Sequence, residues 1–312
     1  MNIANLITGG TVLFVFISGF FFHRVYYPKF QLRKFLIKKA TVYLPYLFLS
    51  SLAFIVFLVI LDNRSAHIAW STDGITSIVL LYFRYLWTGE ILAGYWYIPF
   101  IVIIFTLSPL FLRYINMSLA RQLVIYTILM SISVFIHRPL GNLSPIHSLI
   151  YFTPIYLLGI LYSAYEERIS KFIENKSFAL AVVTIGISMA QVAYTNSYGS
   201  YHKSTMFSYE GVDLMILQKT VMIFFFLSIL KKINDKEIPL LKYLASLSFA
   251  IYFLHPWVLE FLRSNLINQY LLYLPGGIVF LIKLTLSVMI PITIATLIKR
   301  VLGERSRYII GY

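Results

Sequence analysis

Few side chains in this sequence can move a proton or hold a charge, so the position of each is informative. His255 lies in SLSFAIYFLHPWV, near the end of an apolar run and directly before Pro256. An imidazole exchanges its proton near neutral pH, which suits general acid–base work; a hydrogen-bonded packing histidine is the plainer reading of that position alone. Tyr252, three residues earlier, carries a hydroxyl able to donate to a developing negative charge. His137, Arg138 and His147 flank the turn HRPLGNLSPIH, and Asp213 and Glu260 fall at the same end of neighbouring apolar runs. Lys219 and Lys283 interrupt apolar runs. An ionisable group there is costly, so it is either functional or a paired, snorkelling residue. Trp96 opens the run WYIPF; interfacial anchoring explains it, and a wall against a sugar ring is the alternative.

Residues 23–40 read as a cationic loop, with six Lys/Arg in the sixteen residues from Arg24 to Lys39. Arg33, Lys34, Lys38 and Lys39 stand just before an apolar helix, and Lys34 and Lys38, four apart, share a helical face. A cationic face at a membrane surface can bind phosphates. By composition alone, topology and contact with anionic lipid account for it more simply. No HxxxH or HxxE–H spacing offers a metal site, and the absence of cysteine removes disulfides and thiolate ligands. There is no G-x-S-x-G nucleophile elbow, glycine-rich phosphate loop or internal repeat. Ser18-Gly19, in FISGFF, reads instead as a small-residue contact between packed helices.

These residues are carried by a very apolar chain. Of 312 residues 59% are hydrophobic and 12% charged, with mean hydropathy +0.80, where a soluble domain would carry about a quarter charged residues. The class is an all-α polytopic membrane helix bundle, read as one integral-membrane domain over 1–312. Spanning helices of about 20 residues are expected near 3–22, 41–61, 95–114, 120–136, 144–163, 178–194, 212–230, 241–261 and 276–298. The run Ser77 to Gly89 reads either as an amphipathic segment lying along the interface, with Tyr82, Tyr85 and Trp87 at headgroup depth, or as an ordinary structured loop. A cleavable leader ahead of the first span is not expected. The net charge of +14 does not call for nucleic acid, because no basic soluble domain is present to bind it. Nineteen Lys/Arg fall in 23–40, 113–121, 164–177, 231–242 and 299–312, against five in the alternate segments. The first set is therefore expected to face the cytoplasm, with the C-terminus, and Met1 to lie outside.

Several segments occur together in order: FVFISGFFF, RKFLIKKATVYLPY, YWYIPFIVIIF, YFTPIYLLGILY, SLSFAIYFLHPWV and ERSRYIIG. Together they resemble the membrane acyltransferase-3 family, which includes bacterial surface-polysaccharide O-acetyltransferases. The resemblance implies about ten helices in a bacterial inner membrane. It implies transfer of an acyl group, usually acetyl, from cytoplasmic acetyl-CoA to a hydroxyl of a surface polysaccharide or lipid-linked sugar. Acyl-CoA is then a donor substrate rather than a bound cofactor, and membrane lipid is a further partner. The family's donor-handling basic stretch matches Arg33, Lys34, Lys38 and Lys39, and its SxxxYxLH-type segment matches Ser248, Tyr252 and His255. The family also opens with a helix bearing an Arg and a His taken as the principal base. The first helix here matches the family's second, so the sequence is expected to lack that helix and that histidine. A secondary transporter, or an inactive remnant of such an enzyme, are the competing readings.

Overall fold

The computed structural model describes residues 2–60, 74–195, 199–233, 236–263, 271 and 273–311. It is almost wholly helical. In chain order the helices are α1 (Asn2–Ile7), α2 (Thr11–Phe21), α3 (Leu32–Val42), α4 (Leu44–Ala53), α5 (Ile75–Thr88), α6 (Tyr97–Thr106), α7 (Ser108–Ile115) and α8 (Leu119–Ile136). They continue as α9 (Pro145–Ala164), α10 (Glu166–Ile173), α11 (Ser177–Thr195), α12 (Leu214–Lys232), α13 (Pro239–Arg263), α14 (Gly276–Leu302) and α15 (Ser306–Ile310). Eight helical segments among the described residues are long and apolar enough to cross a membrane, or nine if the bent pair α6–α7 forms one span. That pair turns through 58° at Leu107, where Pro109, at the second position of α7, removes a donor from the ladder. The all-α, multi-pass architecture stands as expected.

One local expectation is corrected. Residues 23–40 are not an open loop. The helix ending α2 runs on through a π-turn at Phe22–Tyr26 and a 3-10 turn at Tyr27–Lys29, and α3 starts at Leu32. Arg, Lys, Leu and Gln are good helix formers and no glycine interrupts 20–43. Buried Phe35 holds the turn, its ring edge-on to Phe22 at 5.7 Å and to Tyr26 at 5.0 Å. Residues 61–73 and 264–270, from two segments assigned to the outer side, lie outside the described residues.

The chain forms two compact units interleaved in sequence. The first comprises Met1–Phe35 and Phe100–Glu237. Its centre is the crossing of α2 on α9, whose backbones meet without side chains between them. A Cβ at Gly19 would lie 2.0 Å from the Tyr156 carbonyl oxygen, and one at Gly159 would lie 2.1 Å from the Phe16 carbonyl oxygen. Glycine is required on both sides of this contact. Such an approach replaces the hydrophobic drive that lipid does not supply. Around it α9 buries most of its surface, including Phe152, Ile155 and Tyr156. A short parallel bridge, β1 (Arg138–Pro139) on β2 (His202–Lys203), ties the α8–α9 turn to the α11–α12 connection.

The second unit comprises Leu36–Pro99 and Ile238–Tyr312. Here α13 packs along α14, and α15 folds back on α4. Helix α5, with 14 residues, is too short to span. Its Leu81 and Tyr85 pack against Phe54, the Tyr82 hydroxyl meets Ser51 Oγ at 2.7 Å, and Trp87 is 53% exposed. Residues 75–88 are thus helical, with Tyr85 turned inward and Trp87 outward. After α5 the chain reverses at Gly89, φ +68, where a Cβ would lie 2.4 Å from the Trp96 backbone nitrogen. Only glycine admits that approach, and it fixes residues 94–97 for the site below.

Candidate functional site

Each unit carries a polar cluster among the described residues that includes candidate site residues. In the second unit it forms around α13. Tyr252 donates its hydroxyl proton to the Gly94 carbonyl at 2.7 Å, and Tyr95 donates to the Phe253 carbonyl at 2.7 Å. The Tyr95 and Tyr252 rings stack at 6.5 Å. These bonds hold the 94–97 segment on α13 and occupy both phenolic protons. His255 stands one turn further along. Its Nδ1 is 3.0 Å from the Ile251 carbonyl oxygen. A carbonyl only accepts, so Nδ1 carries the hydrogen and Nε2 is left with its lone pair. The imidazole edge, Cε1 and Nε2, lies 3.9 Å from where a Cβ on Gly94 would stand. A fixed tautomer with an acceptor nitrogen is what a general base requires. Trp96 is buried by its neighbours, a packing position rather than an exposed aromatic face.

In the first unit, residues far apart in sequence converge where α8 ends and α9 and α12 begin. Asp213 caps α12, accepting from the Met215 amide at 2.8 Å, and also accepts the Tyr151 hydroxyl proton at 2.7 Å. Its own amide donates to the Val134 carbonyl. Burial raises the Asp213 carboxyl above the ordinary range, while the Tyr151 hydroxyl pulls it back. Arg138 donates from Nε to Asn142 Oδ1 at 2.6 Å and from a terminal nitrogen to Ser200 Oγ at 3.3 Å. Burial lowers its pKa, opposed by Tyr151 and Asp213. His137 takes φ +59, a strained position for a residue with a Cβ. Its ring donates from Nε2 to the Gly211 carbonyl at 3.0 Å, and its carbonyl is met by His147 Nε2 at 3.1 Å. His137, Arg138, His147 and Asp213 therefore do come together. Glu260, on α13, pairs with Arg263 at 3.7 Å.

Sequence reasoning did not identify Tyr151, His202 or Lys203 as members of this cluster. The one available signal was polarity in and around otherwise apolar segments. Burial, with Arg138 adding, pushes His202 down to about 4. Its pKa in the unfolded chain is about 6.5, so the folded state prefers neutral His202. The resulting stability is complete above pH 6.5 and is lost as pH falls towards 4. The expected result is an unfolding temperature that declines over that interval, by the equivalent of about 2 kcal/mol after discounting for partial exposure. The same scan on His202→Gln should show a shallower decline.

Lys219 is fully buried on α12. Its ammonium donates to the carbonyls of Asn5 at 2.8 Å and Leu6 at 3.0 Å. It thereby satisfies the orphan carbonyls at the end of α1. Arg33, Lys34, Lys38 and Lys39 all lie on α3, with Arg33, Lys34 and Lys38 exposed. Among the described residues no group of three or more His, Cys, Asp or Glu is placed to hold a metal ion.

Compared with known proteins, the chain matches one family model, described as an acyltransferase domain, over residues 2–298. No curated protein and no solved structure matches it.

Proposed function

The chain belongs to the acyltransferase-3 family and is a multi-pass membrane acyltransferase; from that premise we propose that it moves an acetyl group from cytoplasmic acetyl-CoA to a hydroxyl of an extracytoplasmic glycan. The observation that carries the reading is the imidazole of His255, whose hydrogen is fixed on Nδ1 by the Ile251 carbonyl so that Nε2 can accept a proton. In the reaction the acceptor oxygen bonds to the thioester carbon and its proton passes to Nε2. The carbon–sulfur bond then breaks, and the proton is returned to the coenzyme A thiolate. Esterified acceptor and free coenzyme A are the products. The negative oxygen formed on the way needs nearby donors. The hydroxyl of Tyr252 and the ammonium of Lys219 already donate to backbone carbonyls, so the main part proposed for Tyr252 is to position the segment beside His255.

Donor binding is assigned to α3. Coenzyme A is anionic at its phosphates, and Arg33, Lys34 and Lys38 present exposed cations on one helix, with Lys39 beside them. The excess of Lys/Arg in the segments on that side supports a cytoplasmic placement in a bacterial inner membrane, with the C-terminus on the same side.

Substitution of Lys38 and Lys39 by Gln tests the assignment. Each lost cation near the surface removes about 1 kcal/mol. The acetyl-CoA KM should therefore rise about thirtyfold, with turnover at saturation little changed. An unchanged KM would return these lysines to a purely topological role.

A further inference from the structure

The first unit carries a groove that the transfer reaction does not use. Its mouth is a cavity of about 670 Å³ lined by Arg24, Glu166, Glu167, Arg168 and Lys231, among others. A second cavity of about 430 Å³ is lined by Phe16, Phe20, Tyr162, Leu227 and Leu230. Glu166, Ser170 and Lys231 line both, so the polar mouth opens into the apolar trough. The trough lies against α2, α9 and α12, all of spanning length or part of a span. Its wall is aromatic, with the Tyr162 ring 5.8 Å from Phe16 and 6.0 Å from Phe20. Leu230, at its rim, is 52% exposed.

The charges at the mouth do not balance. Three cations face two carboxylates, and Arg24 already sits 3.6 Å from Glu166. Neither Arg168 nor Lys231 has an ion-pair partner among the described residues. An occupant that matches both parts carries negative charge at one end and hydrocarbon at the other. A soluble phosphate would leave the apolar wall uncovered, and a neutral lipid would leave the cations unmatched. We propose that the groove holds one membrane phospholipid, its phosphodiester at Arg168 and Lys231 and one acyl chain along Phe16, Phe20 and Leu227. The mouth lies between segments 164–177 and 231–242, on the Lys/Arg-rich side, where anionic lipid gathers.

Native mass spectrometry of the full chain in detergent, titrated with phosphatidylglycerol, with diacylglycerol, or with phosphatidylglycerol in competition with coenzyme A, tests this. It reads mass rather than acyl transfer, so its outcome does not depend on the proposed reaction. We expect one retained phosphatidylglycerol and little retained diacylglycerol. The double substitution Arg168→Gln, Lys231→Gln should raise the half-occupancy concentration about thirtyfold. Leu230→Trp, at an exposed site and so tolerated by the fold, should lower occupancy by obstructing the trough, and decides the matter alone if the double variant does not fold. Equal retention of diacylglycerol, unchanged affinity in these variants, or displacement of the lipid by coenzyme A would each overturn the proposal.

Discussion

Replacing His255 by glutamine lowers the rate of acyl transfer by about 10²–10⁴-fold, the range general-base catalysis supplies. Glutamine retains an amide able to donate to a backbone carbonyl, so packing on α13 changes little while the basic nitrogen is lost. Because the imidazole is asked to act only as the acceptor hydroxyl attacks, turnover falls and the acetyl-CoA KM stays near its original value. Tyr252→Phe provides the comparison. It removes one hydrogen bond, to the Gly94 carbonyl, a loss of about 1 kcal/mol in stability, and should slow transfer far less. Steady-state assays in membranes at matched protein amounts make the distinction. A His255→Gln rate within threefold of the original would mean that this histidine only packs.

The second large effect is on stability. Gly19→Leu and Gly159→Leu each place a side chain where the partner backbone stands at 2.0–2.1 Å from the new Cβ. Overpacking usually costs about 1–3 kcal/mol through shifted side chains. Here the obstacle is main chain on both helices, so about 3 kcal/mol or more is expected, seen as loss of monodisperse protein in detergent and a lower unfolding temperature. The two positions share one contact, so the double variant should be much less destabilised than the sum of the singles. Leucine at Gly186, where nothing lies within 4 Å of a Cβ, should be tolerated and serves as the control.

That crossing shows what the sequence made legible and what it did not. Ser18-Gly19 marked α2 as a close-packing helix, because a small residue in an apolar span has few other uses. Its partner, Gly159, could not be chosen, since pairing residues 140 apart is a property of the folded bundle. The spans were readable from hydropathy because every backbone polar group in hydrocarbon must be satisfied within the helix. The basic stretch 23–40 was misread as a loop because charge was taken to signal solvent. Helix propensity and the aromatic contacts of Phe35 keep most of it helical. At the sites, His137, Arg138, His147 and Asp213 stood out as titratable groups near one end of their helices, and the structure brings them together. Tyr151, His202 and Lys203 were not legible, because the β1–β2 bridge that recruits the latter two joins positions 64 residues apart. Lys219 was conspicuous as a lysine in a span, but its use, closing the end of α1, depends on where that helix breaks.

The central claim is that donor and acceptor meet from opposite faces, and sided transfer tests it most directly. Membrane vesicles of known orientation are supplied with radiolabelled acetyl-CoA on one face and a glycan acceptor on the other, and label on the acceptor is counted. The account predicts label only when acetyl-CoA is on the face bearing Arg33, Lys34, Lys38 and Lys39, saturating with donor concentration and lost in His255→Gln. Label appearing only with donor supplied from the opposite face, or none from either face with the His255-bearing protein folded, would contradict it.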